Sequence, residues 1–133
     1  MKAEREIFVF GSNMAGRHGK GAAFTARKHY GAVYGQGVGL QGDSYAIPTK
    51  DFADKNGIMQ SLPLHLIKMH VDDFIRFAKD HPTWKFKVTA IGTGLARYSH
   101  GEIAPMFADA PSNCRLPVEW RSVLGQPQPQ PQL

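Results

Sequence analysis

The stretch that decides the fold runs from Ile7 to Ala23 and reads Ile-Phe-Val-Phe-Gly-Ser-Asn-Met-Ala-Gly-Arg-His-Gly-Lys-Gly-Ala-Ala. Its first four residues are β-branched or aromatic, which predicts a short buried strand. Glycines follow, and residues Gly21 to His29 are typical of a helix that ends at Gly31. A strand, a glycine-rich loop and a helix in this order present backbone N–H groups and a helix N-terminus to an anion.

The same order of patterns occurs again near residue 90. Val88-Thr89-Ala90-Ile91 runs into Gly92-Thr93-Gly94-Leu95. We call residues 11–21 the first glycine loop and residues 92–95 the second glycine loop. Ligands of open α/β sheets bind beyond the carboxyl ends of the strands, where we expect both loops to emerge. Two such loops predict a ligand that carries phosphate.

The middle of the chain continues the alternation of strand and helix patterns. Residues 31–42 are too rich in glycine for a helix, which predicts an irregular connection or a weak edge strand. Residues 44–47 predict a strand that Pro48 ends. Apolar residues then recur at helical spacing over residues 64–78, with Ser61 as the expected N-cap and Pro63 in the first turn.

The last third of the chain predicts smaller elements. Residues 84–91 alternate apolar and polar side chains before turning apolar, which predicts a strand. Ser99 is expected to cap a short helix through Phe107, with Glu102 completing a capping box. A short strand is expected at residues 114–116. Together these patterns predict an α/β domain with helices on both faces of a parallel or mixed sheet.

Length and composition are those of an ordinary globular protein. The 133 residues predict one domain over residues 1–124, followed by a disordered, polyproline-like Pro/Gln tail over residues 125–133. Cys114 is the single cysteine, which excludes an internal disulfide and a cysteine-based zinc site. The sequence has no run of about 18 apolar residues and no signal-peptide pattern, so we expect a cytoplasmic protein with no membrane partner.

The net charge is +5, from 16 Lys and Arg against 11 Asp and Glu. Such a charge helps to attract a polyanion or a small phosphorylated ligand. The basic residues are scattered along the sequence, at Arg27-Lys28, Lys85, Lys87, Arg115 and Arg121. This scatter favours a solvated surface, so nucleic acid is an alternative partner rather than the expected one.

Two familiar nucleotide motifs do not fit the first glycine loop. A Walker A loop requires glycine and a hydroxyl where this chain has Met14 and Gly21. A dinucleotide fingerprint starting at Gly19 requires a small residue where Phe24 stands. The sequence therefore disfavours a P-loop ATPase and a Rossmann dehydrogenase.

The loops do resemble those of another family. A strand ending at Asn13, a glycine loop opening a helix that closes at Tyr30-Gly31, the element Tyr45-Ala46-Ile47-Pro48-Thr49-Lys50, and Ile91-Gly92-Thr93-Gly94-Leu95 resemble the macrodomain family. The similar branch contains terminal ADP-ribose protein glycohydrolase, which has a Met-Gly-Ala-Gly-Ile-Ala loop, an Ile-Thr-Lys strand end and Ile-Gly-Cys-Gly-Leu. The order and approximate spacing hold from about Ile7 to Phe107.

The resemblance implies a three-layer α/β/α sandwich with a mixed central sheet that binds ADP-ribose, with no cofactor and no metal. The ligand is expected to be a small ADP-ribose-like molecule or an ADP-ribosylated macromolecule. The implied ligand-binding residues are Gly11, Asn13, His18, Gly19, Gly21, Ala22, Gly92, Thr93, Gly94 and Leu95.

Whether the protein is also an ADP-ribosyl hydrolase stays open at this point. In the related glycohydrolases a lysine attacks the distal ribose and an aspartate assists, and the matching positions here are Lys50 and Ala96. A lysine nucleophile must lose its proton, so another group has to replace the aspartate. The candidates are Asp51, His18 and His100.

Two further classes of function remain as alternatives to an ADP-ribose binder. One is a basic protein that binds nucleic acid. The other is a non-catalytic interaction domain whose glycine loops are scaffolding and whose Pro/Gln tail binds a partner.

Overall fold

The computed structural model describes residues 5–125. These residues form ten helices and strands and one 3-10 turn at Ala104–Phe107. The helices and strands are β1 (Glu6–Asn13), α1 (Gly21–His29), β2 (Gly39–Gln41), β3 (Ser44–Ala53), β4 (Met59–Ser61), α2 (Leu64–Asp80), β5 (Lys85–Val88), α3 (His100–Ile103), β6 (Cys114–Arg115) and α4 (Val118–Val123).

The six strands form one mixed sheet, in the order β2-β3-β1-β5-β6, with β4 also paired to β3. Strand β1 is parallel to both β3 and β5, and β5 is parallel to β6. Strands β2 and β4 are antiparallel to β3. The predicted α/β fold with a mixed sheet is confirmed.

Alternate side chains of β1 pack into two different apolar clusters. Phe8 and Phe10 pack with Ala23 and Ala26 of α1. Ile7 and Val9 belong to a larger cluster that α2, the 3-10 turn and α4 complete. Because side chains alternate along a strand, the four-residue apolar run at 7–10 buries both of its faces.

The prediction that Pro48 ends strand β3 is wrong. The strand continues to Ala53, and Pro48 stands opposite Ser12 where the pairing with β1 shifts by one residue. Proline lacks an N–H group and is tolerated within a sheet at such an irregularity. Pro48 therefore marks a bulge rather than an end, and the strand carries Thr49 and Lys50 onward in extended conformation.

The ends of two other elements also differ from the prediction. Helix α2 has Pro63 at its N-cap, whereas Ser61 belongs to β4 and its hydroxyl donates to the carbonyl of Ala96 at 2.7 Å. Strand β5 ends at Val88 rather than at residue 91. Strand β4 was not predicted, since three residues carry no periodic signal.

The capping box of α3 is present as predicted, with Ser99 and Glu102 bonding each other's backbone N–H groups. Helix α4 was not predicted. Its Trp120 is fully buried and donates from Nε1 to Nδ1 of His100 at 3.0 Å, which ties the end of the described chain to α3. A short helix of this kind is stabilised by burial of one large side chain, which periodicity does not reveal.

No helix in residues 5–125 is both long enough and apolar enough to cross a membrane. The amide of Gly125 is hydrogen-bonded to Ser122 at 3.2 Å. The rest of the predicted Pro/Gln tail, residues 126–133, lies outside the described residues.

We expect Phe74→Ala to lower the free energy of unfolding by about 3 to 5 kcal/mol, because a fully buried aromatic ring leaves a cavity when it is removed. The Phe74 ring contacts those of Tyr45, Phe86 and Phe107, with the Tyr45 centroid 5.1 Å away. Met69 on the same helix is 59% exposed, so Met69→Ala is the control, with an expected change within about 0.5 kcal/mol. Urea unfolding measures both; equal losses would contradict the assignment of this core.

Candidate functional site

A cleft of about 660 Å³ opens where β1, β3 and β5 reach their carboxyl ends. Both glycine loops and the first turn of α1 line it. The full lining is Gly11, Ser12, Asn13, Arg17, Gly19, Lys20, Gly21, Ala22, Ala23, Thr49, Lys50, Met59, Thr89, Ala90, Ile91, Gly92, Thr93, Gly94, Leu95 and Ala96.

The cleft brings together most of the residues that the sequence singled out. These are Lys50, Ala96, Gly11, Asn13, Gly19, Gly21, Ala22, Gly92, Thr93, Gly94 and Leu95. Gly19 and Gly94 line the same cleft although they are 75 residues apart in the sequence. The parallel pairing of β1 with β5 is the reason, since it aligns the loops that follow these strands.

His18 is the exception among the predicted ligand contacts. Its side chain is fully buried and is not part of the cleft lining. Nε2 lies 3.0 Å from the carbonyl of Gln36 and 3.2 Å from Oε1 of Gln41, and both of these are acceptors. Nε2 therefore carries the proton, and His18 attaches the first glycine loop to residues 36–41 instead of facing a ligand.

The first glycine loop is closed by the side chain of Asn13. Its Oδ1 accepts from the amide of Arg17 at 2.9 Å, and its Nδ2 donates to the carbonyl of Arg17 at 3.0 Å. Asn13 thus uses both ends of its amide to set the shape of the loop, which is a structural task beside the predicted ligand contact.

The first glycine loop also rests directly on the backbone of residues 35–37. A Cβ atom at Gly16 would overlap the main chain of Gln36, and a Cβ atom at Gly37 would overlap the carbonyl of Asn13. Ser12 reinforces this approach, since its hydroxyl donates to the carbonyl of Gly37. Glycine at positions 16 and 37 is required because no other residue allows the two segments to lie so close.

The second glycine loop is held from both of its ends. The Thr93 hydroxyl donates to the carbonyl of Ala90 at 2.7 Å, and the amide of Tyr98 donates to the carbonyl of Gly92 at 2.9 Å. The Ser61 hydroxyl of β4 holds the carbonyl of Ala96. The loop is therefore fixed to β4 and to its own flanks before any ligand binds.

Several backbone N–H groups at the cleft lack an acceptor. Among residues 5–125, no hydrogen bond is made by the amides of Gly19, Gly94 and Leu95. Helix α1 also begins at the cleft without a side-chain cap and without an acidic residue in its first turn. Unpaired N–H groups and an uncapped helix N-terminus both attract negative charge.

The charged side chains that line the cleft are all basic: Arg17, Lys20 and Lys50. No Asp, Glu or His of the described residues belongs to the lining. Ala96, which occupies the position of the expected aspartate, is 5% exposed, and its carbonyl accepts a hydrogen bond from the Ser61 hydroxyl. The field inside the cleft is therefore positive from both its backbone and its side chains.

None of the three candidates for a base next to Lys50 lies in the cleft lining. Asp51 is exposed and accepts from the amide of Phe52 at 2.7 Å. Nδ1 of His100 accepts from the buried Trp120, and His18 is buried as described above. The Lys50 ammonium itself has no ion-pair partner among residues 5–125.

A metal site and a reactive thiol are two other possible sources of reactivity. Residues 5–125 contain no group of three or more His, Cys, Asp or Glu side chains placed to hold a metal ion. Burial raises the pKa of the Cys114 thiol to about 12, so the thiol stays protonated at neutral pH and is not nucleophilic.

The sequence did not single out Arg17, Lys20, Thr49 and Met59, although all four line the cleft. Arg17 and Lys20 flank Gly19 inside the first glycine loop, so the loop itself was the available signal. Met59 comes from β4, a strand that the sequence pattern does not indicate. Thr49 reaches the cleft because β3 continues past Pro48.

Comparison with known proteins gives a fold and no family. No family model matches the chain, and no curated protein matches it. The chain is similar to a solved protein of unknown function from Bacteroides thetaiotaomicron, with 16% sequence identity and a TM-score of 0.57, covering 83% of this chain and 82% of that one. At this identity the likeness concerns the fold alone.

We expect Asn13→Ala to loosen the first glycine loop and to lower the free energy of unfolding by about 1 to 2 kcal/mol, since two hydrogen bonds to Arg17 are lost. Hydrogen exchange should accelerate at the amides of residues 14–20. Asn56→Ala is the control, because the Asn56 side chain makes no hydrogen bond within residues 5–125. Unchanged exchange in Asn13→Ala would contradict the clamping role.

Proposed function

We propose that the cleft binds ADP-ribose or a related nucleoside diphosphate, and that the chain is a macrodomain-like binding module. One observation carries the proposal. Unpaired backbone N–H groups from two separate loops, and the uncapped N-terminus of α1, meet in one cleft whose charged side chains are all cations. A diphosphate is the ligand group that two facing sets of N–H donors suit, because its two anionic centres can be bound from both sides.

Gly19 and Gly94 support this proposal because the fold itself gives no reason for glycine there. A Cβ atom built at either position meets no atom within 4 Å, and neither residue adopts a left-handed backbone. Gly16 and Gly37 differ, since the chain packs against them. Open space at Gly19 and Gly94 is explained by a ligand that approaches the main chain closely.

The size and lining of the cleft also suit a nucleotide sugar. Its volume of about 660 Å³ lies within the roughly 300 to 1,000 Å³ of small-molecule sites. Leu95 is 61% exposed and Met59 is half-buried, so both offer apolar surface to a base or a ribose ring. Thr49 and Asn13 add polar residues to the lining.

The three-layer α/β/α arrangement belongs to the same proposal. It is supported by the two apolar clusters, since Phe8 and Phe10 pack with α1 while Ile7 and Val9 pack in the cluster that includes α2. Such an arrangement leaves the carboxyl edge of the parallel strands free for a ligand.

Binding without hydrolysis is the version of this function that we propose. A lysine nucleophile needs a group that takes its proton, and no carboxylate or imidazole of the described residues lines the cleft. We therefore assign Lys50 the role of a basic side chain that contacts the anionic ligand. Ala96 agrees with this version, since it supplies no carboxylate at the position that matches the aspartate of the related glycohydrolases.

The first test is Gly94→Ala, for which we expect at least about a tenfold loss of ADP-ribose affinity with the fold unchanged. The new methyl group occupies space that the protein leaves open, so only a ligand can collide with it. Gly101→Ala in α3 is the control, because its Cβ atom would make one ordinary contact away from the cleft. Calorimetric titration of wild type and both variants gives the result, with ADP-ribose-1″-phosphate, NAD and AMP as further ligands. Wild-type affinity in Gly94→Ala would refute the proposed site.

The second test separates binding from catalysis at Lys50. We expect Lys50→Ala to weaken ADP-ribose binding by roughly tenfold or more, as for loss of a charge-assisted hydrogen bond. Lys55→Ala is the control, since Lys55 lies in the exposed turn after β3 and outside the cleft lining.

Chromatographic assay of wild type with ADP-ribose-1″-phosphate should show no turnover. Turnover that disappears in Lys50→Ala while affinity is retained would instead establish an enzyme with Lys50 as its nucleophile.

A further inference from the structure

A second surface gathers basic side chains that the sequence scatters. Lys85 and Lys87 of β5, Arg115 of β6 and Arg121 of α4 line an open depression of about 860 Å³. The first three are exposed and Arg121 is partly exposed. We call these four residues the basic face. None of them lines the cleft described above.

The strand register places the cations of the basic face side by side. Lys85 and Lys87 alternate along β5 with the buried Phe86 and Val88, so they share one face of the sheet. Lys87 is the register partner of Arg115 on β6. Neighbouring positions on one face are about 7 Å apart along a strand and about 5 Å apart between strands. The sheet thus holds a closely spaced set of cations.

The strand register also sets two like charges opposite each other. Like charges at directly opposed positions of a sheet repel each other. Neither Lys87 nor Arg115 forms an ion pair with an acidic residue among residues 5–125. Glu6 is the one acidic residue among those that line the depression, against the four cations of the basic face. A bound polyanion would relieve this repulsion.

The acidic residues of the described chain lie mainly on other elements. Asp72, Asp73 and Asp80 belong to α2, and Asp51 and Asp54 belong to β3 and the turn after it. Two of the aspartates on α2 are paired with Lys68 and Arg76 of the same helix. The depression therefore carries a local excess of positive charge, with four cations against Glu6.

We propose that the basic face docks the phosphate backbone of a nucleic acid. The cations of the basic face lie at the regular spacings of a β-sheet. They can bind several negative charges at once only if the partner carries such charges at repeated positions along a chain. Phosphate contacts of this kind give affinity without reading sequence. The surface is separate from the cleft, so this inference is independent of ADP-ribose binding.

The test is fluorescence anisotropy with a labelled oligothymidine of about 20 nucleotides, at about 50 to 200 mM NaCl. Three to four phosphate contacts predict that log K falls against log salt with a slope of about −2 to −3 for a single strand. Lys87→Gln combined with Arg115→Gln should weaken binding at least about tenfold at the lowest salt and make the slope shallower by roughly one to two.

The matched control is Lys55→Gln combined with Lys68→Gln, which removes the same charge from exposed residues outside the basic face. It should bind within about twofold of wild type. The variant with Lys87→Gln and Arg115→Gln should also have a higher melting temperature at low salt, because the repulsion between these two residues is removed. The same melting curve shows whether this variant folds correctly.

Four results would overturn the proposal. One is no binding by wild type at the lowest salt, and another is an equal loss in both double variants, which would reflect net charge alone. The third is competition of the oligonucleotide by ADP-ribose, which would move its site to the cleft. Vesicles of phosphatidylcholine with roughly one third phosphatidylserine serve as the alternative polyanion. Binding to these vesicles that requires Lys87 and Arg115, with no oligonucleotide binding, would also overturn it in favour of a membrane surface.

Discussion

The parallel pairing of β1 with β3 on one side and β5 on the other is the constraint on which the rest of the structure depends. It aligns three carboxyl ends at one edge of the sheet, and the two glycine loops leave from that edge. Residues 7–10 can sit between two parallel neighbours only because both of their faces are apolar. A polar residue in this run would leave an unpaired group in one of the two apolar clusters, and the cleft would lose its floor.

The alignment of the strands does not by itself hold the first glycine loop in one conformation. Contacts with residues 31–42 do so. Their backbone lies against the loop at Gly16 and Gly37, the Ser12 hydroxyl bridges the two segments, and buried His18 bonds to Gln36 and Gln41. The glycine-rich stretch is thus a packed support rather than a free connection. Because these contacts fix the loop within the fold itself, the proposed binding would cost little ordering entropy.

The sequence predicted the features that depend on local pattern and missed those that depend on distant contacts. The strand at residues 7–10, helix α1 and the Ser99 capping box follow from apolar runs and side-chain capping, which neighbouring residues determine. The continuation of β3 past Pro48 depends on a register shift against β1, and α4 depends on burying Trp120. At the candidate site, the glycine positions were readable from the sequence. The burial of His18 was not, because its partners Gln36 and Gln41 lie 18 and 23 residues further along the chain.

The proposed binding and the alternative of hydrolysis make different demands on the charge of the cleft. A hydrolase that uses a lysine nucleophile needs a carboxylate or imidazole close to that lysine, and a carboxylate there makes the cleft less positive. Here the lining holds Arg17, Lys20 and Lys50 with unpaired N–H groups and no acidic side chain of the described residues. Ala96 is part of this lining and adds no charged group to it. The proposed function therefore uses the cleft to retain an anion, with Lys50 as one of the basic side chains that contact it.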